Sequence, residues 1–300
     1  MADLATSSWP APAKLNRFLH ITGRRADGYH LLQTVFQFLD YSDQISFNIR
    51  QDQKIRLLTP VAGVEEADNL VIRAARRLQQ LSGSEMGADI SLQKLLPMGG
   101  GLGGGSSNAA TVLVALNYLW QTGYHSSRLA EIGLELGADV PVFVHGQATW
   151  AEGVGEKFQA VTLDEPWFCV IVPPVHVSTA AIFSDPELTR NSRAITISDF
   201  LNGEGTNDCE ALVVRRYKEV AEVIQWLKSH VDTRRSCVVP TRMTGTGACV
   251  FVGLADKGDA EQVSSQLPAG WNAFVARGVN QSPLHKKLTE VMSEHASGTV

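Results

Sequence analysis

The chain has 300 residues, 44% of them hydrophobic and 19% charged, with a formal net charge of −5. That length buries a sizeable core and more often makes two domains than one. The balance is that of an ordinary globular protein, which excludes disordered, collagenous and fibrous classes; an acidic chain without a basic patch argues against nucleic acid as a partner.

No run approaches 18 uninterrupted apolar residues, so no transmembrane helix and no membrane partner are expected. Met1–Pro10 lacks the basic and apolar segments of a signal peptide and the arginines of a transit peptide. Cys169, Cys209, Cys237 and Cys249 form no C-x-x-C pair and no metal spacing, and read as the reduced thiols of a cytoplasmic protein. The eight histidines contain no H-E-x-x-H pair, which argues against a zinc hydrolase. No protein metal site is expected.

Residues from about Ala11 to Phe47 read as strands, interrupted by a polar turn at Gly23–Gly28. Lys14, Asn16, Phe18 and His20 share one parity and therefore one face. Asp68 is placed to cap a helix, followed by Val71, Ala74, Ala75, Leu78 and Leu81 at helical spacing and stopped at Gly83. Arg73, Arg76 and Arg77 fall on its solvated face. Ala88–Leu96 suits a strand leading through Pro97 into a glycine run, and helices follow at about Ser107–Trp120 and Ser127–Leu136. Asp139, just ahead of Val140-Pro141, is a natural cap for another short helix. A domain boundary is expected near Asp164–Pro166, dividing the chain into 1–165 and 166–300. Beyond it come a buried strand at Trp167–Val172, a helix at about Asp208–Lys228, and a tight turn at Met243–Gly247 entering a core strand. This mixed order points to an α+β fold rather than regular βαβ alternation.

The run Gly99-Gly100-Gly101-Leu102-Gly103-Gly104-Gly105-Ser106-Ser107 stands at a strand-to-helix junction. Glycine costs conformational entropy on folding, so such a run needs a cause. Between two strongly patterned elements a flexible linker is a poor explanation. Backbone amides at a helix N-terminus, free of Cβ atoms, form a cradle for phosphate. The Walker pattern is missing because no lysine follows the glycines. Gly99, Gly101 and Gly104 satisfy G-x-G-x-x-G almost automatically in so glycine-rich a run. The dinucleotide reading also wants an acidic residue about 20 residues on, and no Asp or Glu occurs from Gly105 to Arg128. Protein-kinase H-R-D and D-F-G signatures are also absent.

Pro97-Met98 with this run resembles the P-x-x-x-G-L-G-S-S loop of the GHMP kinases. Pro12-Ala13-Lys14-Leu15-Asn16 resembles their N-terminal motif, and Thr244–Phe251 their C-terminal glycine motif. The three motifs occur in family order across nearly the whole chain. Thr22–His30, Gly137–Pro141 and Ala151–Glu156 resemble one branch in particular. Its members use ATP to phosphorylate the 2-hydroxyl of 4-diphosphocytidyl-2-C-methyl-D-erythritol in the non-mevalonate isoprenoid pathway. The resemblance implies a two-domain fold with its active site in the cleft between domains, ATP with Mg2+ as cosubstrate, and a bacterial cytosolic setting. The sequence leaves the Mg2+ ligand open, and leaves open whether the chain is a monomer or a homodimer.

It also implies roles for particular residues. Lys14 and Asp139 become the catalytic pair: an ammonium on the transferring phosphoryl group and an acceptor for the hydroxyl proton. Asp139 as a plain N-cap is the competing reading, since the two tasks claim the same oxygens. Pro97–Ser107 become the phosphate loop, and Asn69 and Lys94 the adenine end. Tyr29, His30 and Phe36 offer ring surface for a cytosine, although Tyr29 and Phe36 equally suit core packing. Asn16, Val154, Thr179, Phe183, Thr244 and Gly245 complete the substrate side. Two features depart from the branch: Arg17 stands where it usually has an apolar residue, and Val231–Thr241 exceeds its usual linker. Three other readings remain at this point. They are a GHMP kinase for mevalonate, homoserine or a sugar, a dehydrogenase, and a non-catalytic ligand sensor.

Overall fold

A computed structural model describes residues 7–61 and 63–297; the first six residues of the Met1–Pro10 stretch lie outside them. The described residues form ten strands: β1 Ser7–Arg24, β2 His30–Arg50, β3 Ile55–Leu57, β4 Gly87–Gln93, β5 Thr149–Glu152, β6 Lys157–Ala160, β7 Trp167–Val172, β8 Cys237–Met243, β9 Val250–Leu254 and β10 Asn272–Val279. The helices are α1 Leu70–Ser82, α2 Gly104–Leu119, α3 Ser126–Leu136, α4 Val140–His145, α5 Thr179–Ser184, α6 Ile197–Leu201, α7 Glu210–Arg216, α8 Lys218–His230, α9 Lys257–Ser265 and α10 Pro283–Ser297. No described helix is long and apolar enough to cross a membrane.

The fold is α+β. Its strands run in the order β3-β4-β2-β10-β7-β9-β8, with β1 and β5 also paired to β2. The β1–β2 hairpin is the spine. Its ladder is interrupted between Pro12 and Lys14, between Asn16 and Leu19, and between Ile21 and Gly23. Such irregularities bend a strand and re-aim its side chains, and Lys14 and Asn16 lie between the first two. The two halves of the sheet join where Gly278 and Val279 of β10 meet Leu39 and Phe38 of β2.

One apolar core lies under α1–α4 and includes Phe38, Ile45, Phe47, Leu113 and Phe143. A second lies under α7, α8 and α9 and includes Ile171, Val213, Val223 and Val252. The last helix, α10, returns to the first core through Leu284, Leu288 and Val291.

Three local expectations are corrected. Asp68 does not open α1: Glu66–Asp68 is one 3-10 turn, and Asn69 caps the helix by accepting from Val71 N at 2.9 Å. The helix expected over Asp208–Lys228 is two helices, broken where Tyr217 turns extended (φ −128°, ψ 99°). The strand expected to reach Leu96 stops at Gln93. Arg17, the departure from the branch pattern, packs its guanidinium 5.3 Å from the Phe168 ring centre and donates to Gln37 Oε1. Burial, helped by Arg242, lowers its pKa to about 10. The long segment after α8 is taken up by a turn and by β8, with Asp232 accepting from Thr241 N and Oγ1 at 3.1 and 2.6 Å.

Leu113 is fully buried in α2, in the core shared with α1, α3 and α4. Leu113→Ala should therefore cost about 2–5 kcal/mol of stability, read as a lower urea midpoint with unchanged slope. The exposed Arg73→Ala should move the midpoint by less than about 0.5 kcal/mol equivalent.

Candidate active site

A cleft of about 590 Å³ opens along β1, the glycine run and the N-terminus of α2. It is lined by Pro97–Ser106, Lys14, Asn16 and Asp139, and by Asn69 and Lys94 at one end. Phe36, Val154, Thr179, Phe183 and Gly245 line the remainder. Residues from eight separate sequence regions thus converge on one cavity.

The loop has glycine where geometry demands it. Gly101 has φ +74°, and a Cβ there would sit 2.2 Å from Thr244 O. Gly103 also has φ +74°, and its Cβ would meet Phe143 Cζ at 2.8 Å and Lys14 Cε at 3.1 Å. The first glycine lets the loop lie against the Thr244–Gly247 turn, and the second lets it pass over Lys14. α2 begins at Gly104, directly after Gly103, so its first-turn amides face the loop. Ser106 lines the cleft. Ser107, also assigned to the phosphate loop, is fully buried behind it, with a hydroxyl that has no hydrogen-bond partner among the described residues.

Lys14 is 3% exposed, yet four groups surround its ammonium. It donates to Asn16 Oδ1 at 2.5 Å and to Gly101 O at 3.1 Å, stands 3.3 Å from Asp139 Oδ2, and lies 5.4 Å from the Phe36 ring centre. Asn16 is held in turn: its Nδ2 donates to Thr34 Oγ1 at 2.9 Å, and its backbone N to Thr244 Oγ1 at 3.0 Å. Thr244 is therefore fully buried support, not cleft wall, and it also donates to Gly101 O at 3.3 Å. Asp139 occupies the cap position of α4 but makes no side-chain cap bond. Its side chain is 39% exposed, against 4% for that of Lys14. The carboxylate is thus oriented by the lysine on one side and open to the cleft on the other.

At the proposed adenine end, Asn69 spends Oδ1 on capping α1 and keeps its amide donors. Lys94 is tied to Asp43, a residue the sequence reading did not single out. Asp43 is fully buried in β2 and accepts from Lys94 Nζ at 2.5 Å, Leu95 N at 2.7 Å, Leu96 N at 2.8 Å and Asn108 Nδ2 at 3.0 Å. One carboxylate therefore anchors the chain entering the glycine run and the helix leaving it. A signal existed: Asp43 shares parity with Ile45 and Phe47, both buried, so an acid stands on the apolar face of a strand.

The substrate-side residues divide. Phe36 and Thr34 lie in the cleft wall beside Lys14. Val154 is held on a turn where Glu156 Oε2 accepts from its N–H at 2.6 Å, and Gly153 O accepts from Leu32 N at 2.7 Å. Thr179 shares a 2.8 Å hydrogen bond with Thr246 Oγ1, joining α5 to the Thr244–Gly247 turn. Tyr29 and His30 do not line the cleft itself: Tyr29 is 63% exposed on the turn between β1 and β2, and the His30 ring lies 5.1 Å from that of Phe183, which does line it.

The Asp43 cluster makes a prediction of its own. Asp43→Ala leaves a buried amide pair, Asn108 and the Lys94 ammonium without their acceptor, and should cost about 3–5 kcal/mol. A chemical denaturation midpoint that did not fall would contradict this anchoring role.

Known proteins resemble this arrangement throughout. The family model described as GHMP kinases N terminal domain matches residues 69–147, and GHMP kinases C terminal matches 187–273. A 4-diphosphocytidyl-2-C-methyl-D-erythritol kinase of Pseudomonas aeruginosa (strain LESB58) is 56% identical over 281 residues, covering 94% of this chain and 97% of that protein. The kinase of the same name from Ectopseudomonas mendocina (strain ymp) is 56% identical over 279 residues, 93% of each. Among solved structures, a 4-(cytidine 5'-diphospho)-2C-methyl-D-erythritol kinase superposes with a TM-score of 0.77 at 30% identity, over 91% of this chain and 99% of that one. A mevalonate kinase superposes with a TM-score of 0.65 at 16% identity, over 92% and 100%, which speaks for the fold alone. With both family models matched in order and more than half its residues shared with relatives of nearly full length, this chain belongs to the GHMP kinase family.

Proposed function

We propose that this chain transfers the terminal phosphoryl group of ATP to the 2-hydroxyl of 4-diphosphocytidyl-2-C-methyl-D-erythritol. The observation that carries the chemistry is the Lys14 Nζ–Asp139 Oδ2 approach of 3.3 Å beside the glycine run. The substrate is supported by relatives 56% identical over most of the chain and by the His30–Phe183 ring pair at the cleft rim.

The phosphoryl group passes through a loose transition state, so the protein's work is positioning and charge stabilisation. The amides of Gly99–Gly105 and the first turn of α2 hold the triphosphate, with Ser106 adding a hydroxyl. Asn69 and Lys94 border the adenine. Lys14 reaches the cleft through Gly101 O and Asn16 and neutralises charge on the transferring group. Asp139 accepts a hydrogen bond from the acceptor hydroxyl. As the new oxygen–phosphorus bond forms, the bond from the terminal phosphorus to the departing ADP oxygen breaks, and the hydroxyl proton moves to Asp139. A carboxylate is too weak a base to remove an alcohol's proton beforehand, so that transfer comes late. A magnesium ion carried by the nucleotide would neutralise charge on its phosphates, with the Ser106 hydroxyl at the start of α2 the group placed to hold it.

On the other side of the cleft, Phe36 and Phe183 supply apolar walls. Tyr29 and His30 supply the rim that receives the cytosine. Thr179 and Gly245, with Thr244 behind, border the diphosphate. The division into 1–165 and 166–300 and the cytosolic setting belong to this proposal. The cytosolic setting is supported by the four unpaired thiols.

Two measurements test the reading. In the first, ADP release is followed with 4-diphosphocytidyl-2-C-methyl-D-erythritol, mevalonate, homoserine and galactose offered separately. Turnover with the first alone is expected, and turnover only with another would overturn the substrate assignment. In the second, Asp139→Asn should retain ATP binding while losing about 10²-fold or more in kcat. Wild-type kcat in that variant would remove Asp139 from its role.

A further inference from the structure

Arg190 lies in the connection between α5 and α6, and neither the family motifs nor the mechanism above uses it. Among the described residues its guanidinium has no carboxylate partner. It donates instead to three carbonyls at and beyond the end of α5: Phe183 O at 2.9 Å, Asp185 O at 2.7 Å and Leu188 O at 3.0 Å. Its Nε–H, the fourth donor, points to His30 Nε2 at 3.0 Å. One side chain therefore ties the helix carrying Thr179 and Phe183 to the first residue of β2.

The bond to His30 has a chemical consequence. Arginine does not lose its proton in proteins, so it can only donate, and His30 Nε2 must accept. A neutral imidazole that accepts at Nε2 carries its proton on Nδ1. Nδ1 has no hydrogen-bond partner among the described residues, while the ring lies against Phe183, a residue of the cleft wall. Burial, the facing Arg190 and nearby Arg24 all hold the imidazole below its ordinary pKa, so it stays neutral near pH 7. The free group that His30 presents is thus a donor.

We infer that Arg190 is a positioning residue that fixes His30 as an Nδ1–H donor and thereby sets the preference for a cytosine over a uracil base. Cytosine presents an acceptor at N3, which such a donor satisfies. Uracil carries N3–H, which would face it donor to donor. A site built around one fixed donor rejects a base that cannot accept from it, because a buried polar group is left unpaired. The inference rests on the reading that His30 and Phe183 receive the base, but its first half concerns the ligand-free protein alone.

The test separates the two. Long-range 1H–15N correlation of the imidazoles, with His30 assigned from the His30→Gln spectrum, should give the Nδ1–H tautomer in the ligand-free wild-type protein. It should give the commoner Nε2–H tautomer in Arg190→Met. An Nε2–H or protonated His30 in the wild type at pH 7 would overturn the inference whatever the substrate proves to be. Calorimetric titration of cytidine 5'-diphosphate and uridine 5'-diphosphate, with the nucleotide cleft held by ADP, should give the cytidine compound an advantage of about tenfold or more. In Arg190→Met at pH 8 the ratio should fall toward one. On lowering the pH until the same spectra show His30 protonated, it should recover, because the imidazolium regains its Nδ1–H; the wild-type ratio should stay flat over the same range. A loss in Arg190→Met that is equal at both pH values would mean that Arg190 only braces α5, and would overturn the tautomer role. Failure of 4-diphosphocytidyl-2-C-methyl-D-erythritol to turn over, with the tautomer and the base ratio as expected, would count against the substrate reading and not against Arg190.

Discussion

A carboxylate removed from water has to be surrounded by donors, and Asp43 meets that demand at the point where the glycine run begins. Its four donors come from the segment before the glycines and from the helix after them. A glycine-rich segment left to itself is an entropic liability. Here both of its ends are pinned to β2, whose own place is set by β1 on one side and β4 on the other. The loop is thereby held in position before any ligand arrives, as electrostatic stabilisation of a transferring phosphoryl group requires.

The same hairpin spine that holds Asp43 also delivers Lys14. The interruptions in the β1–β2 ladder on either side of the Lys14–Asn16 stretch turn it toward the loop, and Asn16 and Gly101 O then take up the ammonium. Asp139 meets Lys14 because it leaves the cap of α4 unmade. The helix start already carries Pro141 in its first turn and needs one donor fewer satisfied. The cap of α4 is thus left unmade, and the oxygens that would have capped it face the lysine and the cleft.

The C-terminal glycine motif works at one remove. Thr244 is buried, yet it joins Asn16 of β1 to Gly101 of the loop, and Thr246 joins that turn to Thr179 of α5. Arg190 then links the end of α5 back to His30. A chain of hydrogen bonds thus runs from the glycine run to the rim where the base is proposed to sit, with the buried Thr244 and the side chain of Arg190 as its links.

Much of this was legible in the sequence wherever a local rule governs the residue. The glycine run announces its own cost, the parity of Lys14 and Asn16 follows from the strand period, and the α1 and α2 patterns follow from the helical one. Chain position alone placed Asp139 at a helix start. What the sequence could not express were pairings between distant segments. The break at Tyr217 falls inside an unbroken helical spacing from Leu212 to Leu227, with no Pro or Gly to mark it. Asn69 displaced Asp68 as cap by a single residue, a margin that local propensity does not resolve. The union of Asp43 with Lys94 and Asn108, and of Arg190 with His30, depends on where strands and helices dock. Hydrogen bonds between residues 51, 65 and 160 positions apart leave no periodic trace in the chain. The sequence by itself therefore determined the chemistry available and the elements that carry it. Only the tertiary structure decided which donor meets which acceptor, because that is set by the packing of surfaces and not by neighbours along the backbone.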